Sequence, residues 1–183
     1  ANTASLYSVS QAAQLSSAPS GGSSPLAVGI LGGVGPAGCA RAYTNNAGSA
    51  SVSVYDVDVA AGTITHNTSA VPPALRDAAG NLKLADLTAT PVRWAHLPIQ
   101  TPVSPAGATT HGRFLVTPNK ASFNVSVTAL DASGNPTQIF TFPAGLGAHG
   151  VAFGRKGLCD SGNPSDVCYY AYVTFTFQDY IGV

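Results

Sequence analysis

The chain has 183 residues, and its 8 basic residues balance its 8 acidic residues, so that the net charge is zero. Charged residues make up 9% of the chain, against about 25% in an ordinary globular domain. Without a basic field to hold a phosphate backbone, the sequence argues against nucleic-acid binding. The hydrophobic fraction of 45% argues against disorder, and no apolar run approaches the roughly 20 residues of a membrane helix.

The first residues differ in composition from the rest. Residues 1–25 are predicted to hold an N-terminal strand near Ser5–Val9 and then a flexible Ser/Gly/Pro segment. The best helical candidate in the chain is Ser10–Leu15. Ala1–Ala4 resemble the small residues that follow a signal cleavage site. Together with the low charge, they predict an extracellular, cell-surface or periplasmic protein.

From residue 26 to 183, short runs of β-branched and aromatic residues alternate with Gly, Pro, Asn and Asp. Many short strands with turn signals between them predict an all-β sandwich, barrel or propeller. The clearest of these runs are Val52–Val57, Leu82–Leu87, Arg113–Thr117, Phe123–Leu130 and Tyr169–Phe177.

Internal repeats favour the propeller. Val52–Asp56 matches Val125–Asp131 after a bulge-like insertion, and Leu82–Leu87 has the same alternating shape. His-Gly precedes an apolar strand at His111 and again at His149. The second motif follows the first by about 40 residues, the length of one propeller blade.

These residues carry a resemblance to a known family. Ala42–Asn45 followed by Val52–Asp56, and Gly147–Phe153 followed by Tyr170–Thr174 and Tyr180–Val183, resemble the YVTN family of β-propeller repeats. The resemblance implies a propeller-like array of four-stranded antiparallel blades over residues 26–183, with about three to four repeats. The chain departs from the pattern where Phe175 follows Thr174, and in the long segment Thr65–Ala79.

An array of so few blades is expected to be incomplete within this chain, because each blade needs a neighbour on both faces and known propellers have typically 4–8 blades. The N-terminal strand could complete the last blade, a second copy or another polypeptide could supply the rest, or the chain could be a piece of a longer protein. The sequence favours the last two. A homo-oligomer or a completing partner is therefore expected.

Three cysteines are present. Cys159 and Cys168 bracket a polar, turn-rich segment, which predicts a short disulfide-closed loop in an oxidising compartment. The alternative is two free thiols. Cys39 lies beside small residues and is predicted to be a buried structural thiol, with metal ligation as the alternative.

The histidines are the candidate metal ligands. In a propeller, His111 and His149 could converge on one face or on the central channel and bind copper, zinc or haem iron. The alternative is that each imidazole only bonds a neighbouring blade. His96 shares a strand face with Trp94, which is more typical of packing, and His66 is predicted to be an exposed loop residue. No cofactor is certain from the sequence.

The acidic residues predict turns rather than catalysis. Asp56, Asp86 and Asp131 stand at the ends of repeat strands, where a carboxylate accepts turn amides. The nucleophile elbow Gly-x-Ser-x-Gly and the haem attachment motif Cys-x-x-Cys-His are both missing from the sequence.

Two functions remain open from the sequence. The first is an extracellular or cell-surface propeller that serves as a structural or interaction platform and assembles through open strand edges. The second is a periplasmic copper- or haem-dependent oxidoreductase, or a subunit of one, which the family resemblance allows. Fold alone does not choose between them.

Overall fold

The computed structural model describes residues 2–8, 10–32, 39–84, 99–100, 113–119, 123–145, 147–158, 167–175 and 181–182. This part of the chain is all-β: its strands pair antiparallel in four sheets, and its helical content is two single 3₁₀ turns, Thr68–Ala70 and Pro73–Leu75. None of the four sheets closes on itself. Among these residues, no helix has the length and apolar character needed to cross a membrane.

The four sheets follow one another along the chain. Sheet I is a hairpin of β1 (Thr3–Ser8) and β2 (Ala13–Pro19). Sheet II has the order β3 (Pro25–Gly32), β4 (Cys39–Asn46), β5 (Ser51–Asp58) and β6 (Thr63–His66), and β7 (Leu82–Lys83) also pairs with β5. Sheet III has the order β8 (Ile99–Gln100), β9 (Arg113–Asn119), β10 (Asn124–Leu130) and β11 (Pro136–Pro143). Sheet IV consists of β12 (Ala148–Leu158), β13 (Val167–Phe175) and β14 (Ile181–Gly182).

Three hydrophobic cores join each sheet to the next one in the chain. The core between sheets I and II is formed by Ala18, Ala40, Ala42, Tyr55, Val57 and Ile64, with Ala4 and Leu6 packed on it. The core between sheets II and III contains Leu31, Tyr43, Val52, Val54, Val71, Leu82, Leu84, Leu115 and Leu130. The core between sheets III and IV contains Val116, Val125, Ala148, Val151 and Val173. Sheets II and III are therefore each covered on both faces.

The alternation of β5 shows why the sequence produces this stack. Val52 and Val54 point towards sheet III, whereas Tyr55 and Val57 point towards sheet I. Successive side chains of a strand point to opposite faces, so a strand buried on both sides is apolar at both parities. The lack of a solvated face leaves few positions for charge.

Sheets II and III repeat the same structure. Asn46 pairs with Ser51 across the β4–β5 turn, and Asn119 pairs with Asn124 across the β9–β10 turn. In this register, Val52–Val54 occupy the positions in sheet II that Val125–Val127 occupy in sheet III. The predicted match between those two segments is therefore confirmed.

Leu82–Leu84, however, do not form a third copy of that strand, and residues 85–87 lie outside the described residues. β7 covers only Leu82–Lys83 and pairs with Val52 and Ser51 on the outer edge of β5. It therefore extends the fourth strand of sheet II, which β6 begins.

The helix predicted over Ser10–Leu15 is also wrong. Residues 10–12 form the turn of the first hairpin, and β2 begins at Ala13. Ala12 has φ +49°, in the left-handed region, which ends any right-handed helical turn. A segment this short gains too few helical hydrogen bonds to offset nucleation, and pairing with β1 replaces them.

Candidate functional site

An apolar groove lies between sheets III and IV. It encloses about 680 Å³. Its lining residues are Val116, Val125, Val127, Phe142, Pro143, Ala144, Gly145, Ala171, Val173 and Phe175. Pockets of this size and character are typical of binding sites.

Phe142 of β11 lines this groove, and Phe140 lies two residues before it on the same strand. Phe142 pairs with Val125 and Phe140 pairs with Val127, so all four side chains share the face of sheet III that points to sheet IV. Phe142 is 53% exposed and Phe140 is 40% exposed. Ile139, of the opposite parity, packs against the core shared with sheet II. Two exposed phenylalanines therefore stand on a face whose valines are buried or half-buried.

The repeat shows that Phe142 occupies a position that is covered in sheet II. Leu82 pairs with Val52 as Phe142 pairs with Val125. The equivalence extends to the turns, because Leu84 donates its amide to the carbonyl of Ala50 and Ala144 donates its amide to that of Phe123. Leu82 is 0% exposed, buried between sheets II and III.

The difference arises from the next sheet in the stack. On sheet III, the third and fourth strands supply Leu130 and Ile139 to the core that covers Leu82. In sheet IV, the third strand in the described residues is β14, with two residues, and no fourth strand is described there.

Each repeat also carries a buried polar cluster at the end of its second strand. The Asn46 amide nitrogen donates to the hydroxyls of Ser51 and Ser53 at 3.2 and 2.8 Å. The Asn119 amide nitrogen donates to Asn124 and Ser126, both at 2.7 Å. The two asparagines tie together the two strands that flank each turn.

Six buried side-chain oxygens in the described residues lack a hydrogen bond of normal geometry, and they fall at equivalent places in the two repeats. They are Thr44 Oγ1, Asn46 Oδ1 and Tyr55 OH in sheet II, and Thr117 Oγ1, Asn119 Oδ1 and Thr128 Oγ1 in sheet III. In sheet II, Ser53 donates to the carbonyl of Ser20, which brings the β2–β3 link onto this cluster. Buried polar groups of this kind are the usual positions of internal water.

Burial raises the pKa of the Tyr55 hydroxyl above its ordinary value. The hydroxyls of Ser53 and Thr44 lie near enough to lower it in part, although neither makes a full hydrogen bond to it. A tyrosine with a raised pKa stays neutral at physiological pH, so this cluster offers no anionic nucleophile or base.

A polar contact holds the β10–β11 turn of sheet III on β4 of sheet II. The Arg41 guanidinium forms an ion pair with Asp56 and donates to the carbonyl of Ser133 at 3.0 Å and to Asn135 Oδ1 at 2.9 Å. Asp131 shapes this turn by accepting the amides of Ser133 and Asn135, both at 2.8 Å. The expected turn role of Asp131 is thus confirmed.

Asp56 behaves differently from that expectation. Besides its ion pair with Arg41, it accepts the side-chain amide of Asn67 at 2.8 Å. Asp77 rather than Asp56 is the counterpart of Asp131: its carboxylate accepts the amides of Ala79 and Asn81, both at 2.9 Å. Asp86 lies outside the described residues.

His66 is not the exposed loop residue that the sequence predicted. It ends β6, is half-buried, packs its ring on Tyr55 with centroids 5.4 Å apart, and contacts Asn81 Oδ1 through Nε2 at 3.0 Å. Sequence reasoning missed this packing because both partners depend on the fold. Tyr55 is brought beside His66 by the pairing of β5 with β6, and Asn81 is brought there by the Asp77–Asn81 turn.

The structure gives no support to the predicted metal site. His111 lies outside the described residues, as do His96 and Trp94, and for His149 only the backbone is described, in β12. The strand after His111 is the second of sheet III, whereas His149 lies in the first of sheet IV. The two His-Gly motifs therefore do not correspond in the repeat. The described residues contain no group of three or more His, Cys, Asp or Glu side chains able to hold a metal.

The structure describes only some of the three cysteines. Cys159 lies outside the described residues and only the backbone of Cys168 is described, at the start of β13. Their disulfide therefore stays a prediction. Cys39 begins β4 as a free thiol and is half-buried rather than fully buried.

Comparisons with protein-family models, curated proteins and solved structures return no match to this chain. Function is therefore inferred from the residues and their packing.

Proposed function

We propose that the protein is an extracellular or cell-surface β-propeller protein of the YVTN type, which serves as a structural or interaction platform and assembles through its open strands and the groove at Phe142. The observation that carries this proposal is the contrast between Leu82 and Phe142. Two equivalent side chains stand on two equivalent strands, yet Leu82 is buried by the next sheet and Phe142 is 53% exposed.

The stacking of the sheets supports a propeller. Sheets II and III are antiparallel meanders with four strand positions, the fourth of which is shared by β6 and β7 in sheet II. Each packs face to face on the next sheet in the chain. Propeller blades are four-stranded sheets that bury both faces against neighbours. The low charge of the chain agrees with this arrangement, because both faces of a blade are apolar.

A platform role fits the chemistry better than catalysis does. The polar clusters at Asn46 and Asn119 are internal and hold strands together. The groove is lined by aliphatic and aromatic side chains. Burying such a surface against a partner stabilises the complex by about 25 cal/mol per Å² of apolar area removed from water.

The test is whether assembly depends on the groove. Sedimentation velocity of the purified chain over a wide concentration range should show association that Phe142→Asp abolishes. Phe123→Asp is the matched control, because Phe123 is a similarly exposed phenylalanine in the β9–β10 turn, outside the groove lining. A wild-type chain that stays monomeric, or one whose assembly survives Phe142→Asp, would contradict the proposal.

A further inference from the structure

The unpartnered oxygens of the two polar clusters form two matching sets. Each set contains a threonine and an asparagine two residues apart on the second strand of the repeat, and a hydroxyl on the third strand. The corresponding members are Thr44 and Thr117, Asn46 and Asn119, and Tyr55 and Thr128. Each of these residues is at most 5% exposed. The same unpartnered groups therefore recur at the same register positions in both repeats, which argues for one shared cause.

The set in sheet II lies on the face that points to sheet I. Thr44 pairs directly with Ser53 across β4 and β5, and Asn46 and Tyr55 each lie two residues from one of them, so that all four side chains share this face. The Tyr55 hydroxyl lies near the hydroxyls of Ser53 and Thr44. Side chains paired in this way have Cβ atoms about 4.5–5.5 Å apart, a separation that one bridging water can span.

The hydrogen bonds of Ser53 determine which atom of the Asn46 amide has no partner. The Ser53 hydroxyl donates its one hydrogen to the carbonyl of Ser20, so it can only accept from Asn46, and it does so from Nδ2 at 2.8 Å. The Asn46 amide oxygen is therefore the unpartnered atom. Because this oxygen is an acceptor only, it requires a donor that the strands themselves do not supply.

We infer that each of the two repeats binds one internal water molecule, held by the asparagine amide oxygen and the two hydroxyls of its set. Water can donate to the amide oxygen and can also exchange hydrogen bonds with the hydroxyls, which both donate and accept. Three protein partners are the usual number for a buried water. Each water links the second strand of its repeat to the third, and neither site depends on assembly of the chain.

A metal cation is the alternative occupant, and the chemistry of the set argues against it. All members are neutral, and a buried cation without a negative partner carries a large desolvation penalty. Asp56, which follows Tyr55 in the chain, points to the opposite face and pairs with Arg41. A cation would also leave the hydroxyl hydrogens without acceptors, whereas water satisfies both kinds of group.

The sign of a stability change tests whether the sites are occupied. Thr44→Val and Thr117→Val each replace a hydroxyl by a methyl group of similar size. With water bound, each variant removes one of its partners, and the folding equilibrium constant should fall by about fivefold. With an empty site, the same variant removes an unpartnered buried oxygen, and stability should rise, which would overturn the assignment. Thr65→Val, at an exposed position of β6, is the matched control for the strand preference of valine.

Magnetic relaxation dispersion of the water oxygen nucleus counts the long-lived internal waters directly. The wild type should hold at least two, each single variant one fewer, the double variant two fewer, and Thr65→Val the same number as the wild type. A wild type with fewer than two, or an unchanged count in the double variant, would contradict the assignment whatever the stabilities show. Exchange of sodium chloride for choline chloride should leave the unfolding midpoint unchanged. A midpoint that requires the metal cation would identify a cation instead of water.

Discussion

The hydroxyl of Tyr43 donates a buried hydrogen bond of 2.6 Å to the carbonyl of Gly134, and so joins β4 of sheet II to the β10–β11 turn of sheet III. Tyr43 also packs in the apolar core between these two sheets. One side chain therefore contributes both apolar burial and a directional contact. The bond therefore ties sheet III to sheet II beside their shared core.

Removing the Tyr43 hydroxyl should weaken the molecule without opening a large cavity. Tyr43→Phe is expected to lower the free energy of unfolding by about 1 kcal/mol, because the carbonyl of Gly134 loses a buried donor. Denaturant titration followed by fluorescence measures the change. Tyr7→Phe, at an exposed tyrosine, is the control and should have little effect; equal losses for both variants would argue against the role of this bond.

Gly134 has to be glycine for two reasons. Its φ is +75°, and an added Cβ would lie 2.7 Å from the Tyr43 hydroxyl and 2.8 Å from Arg41 Cγ. Gly134→Ala is expected to lower the free energy of unfolding by about 1–3 kcal/mol through backbone strain. The added Cβ should also displace the turn from β4. Thermal unfolding provides the measurement. Gly32→Ala is the matched control, since an added Cβ there meets nothing within 4 Å.

The two asparagine clusters should respond alike. Asn46→Ala and Asn119→Ala each remove two buried hydrogen bonds and should each cost about 1–3 kcal/mol. Because the two clusters lie in different sheets, the double variant should show nearly additive losses. Chemical denaturation of all three variants is the measurement, with the exposed Gln138→Ala as control. A large loss at only one position would show that the clusters are not equivalent.

Ala50 and Phe123 lie at equivalent turns with left-handed backbones, at φ +50° and +52°. Ala50→Gly is expected to stabilise the protein by about 1 kcal/mol, because a side chain at positive φ costs more than the freedom glycine gains when unfolded. Ala50→Val should destabilise it. The control is Ala60→Gly, in the β5–β6 turn, where φ is not positive; glycine there is expected to cost about 0.5–1 kcal/mol. Melting temperatures that order the three variants otherwise would contradict this explanation.

Tyr55 should make the protein sensitive to alkali. Burial raises its pKa in the folded state above the value of about 10 in the unfolded chain. The unfolded state therefore releases the proton first, and stability from this group is complete below about pH 10 and declines as the pH rises through the folded-state pKa. Tyr55→Phe should flatten the decline in the free energy of unfolding above about pH 10. Tyr7→Phe is the control, and an identical decline in the wild type and Tyr55→Phe would refute the assignment.

Some of the site could be read from local patterns. The match between Val52–Val54 and Val125–Val127 identified the third strand of both repeats. Asp131 correctly predicted the turn that follows β10. Both signals are local, because alternation and turn chemistry depend on residues close in sequence. The β-branched and aromatic residues of Gln138–Phe142 are typical of a strand, but nothing in their composition distinguishes an exposed Phe142 from a buried one.

By itself, the sequence determined the all-β class, the repeated second and third strands and the scarcity of charge, since these follow from alternating apolar residues and turn formers. The tertiary structure alone decided that Leu82 belongs to an outer strand, that His66 packs on Tyr55, and that Phe142 stands open where Leu82 is covered. Each of these depends on which strands become neighbours. That choice is made by packing between residues far apart in the chain, which no local pattern encodes.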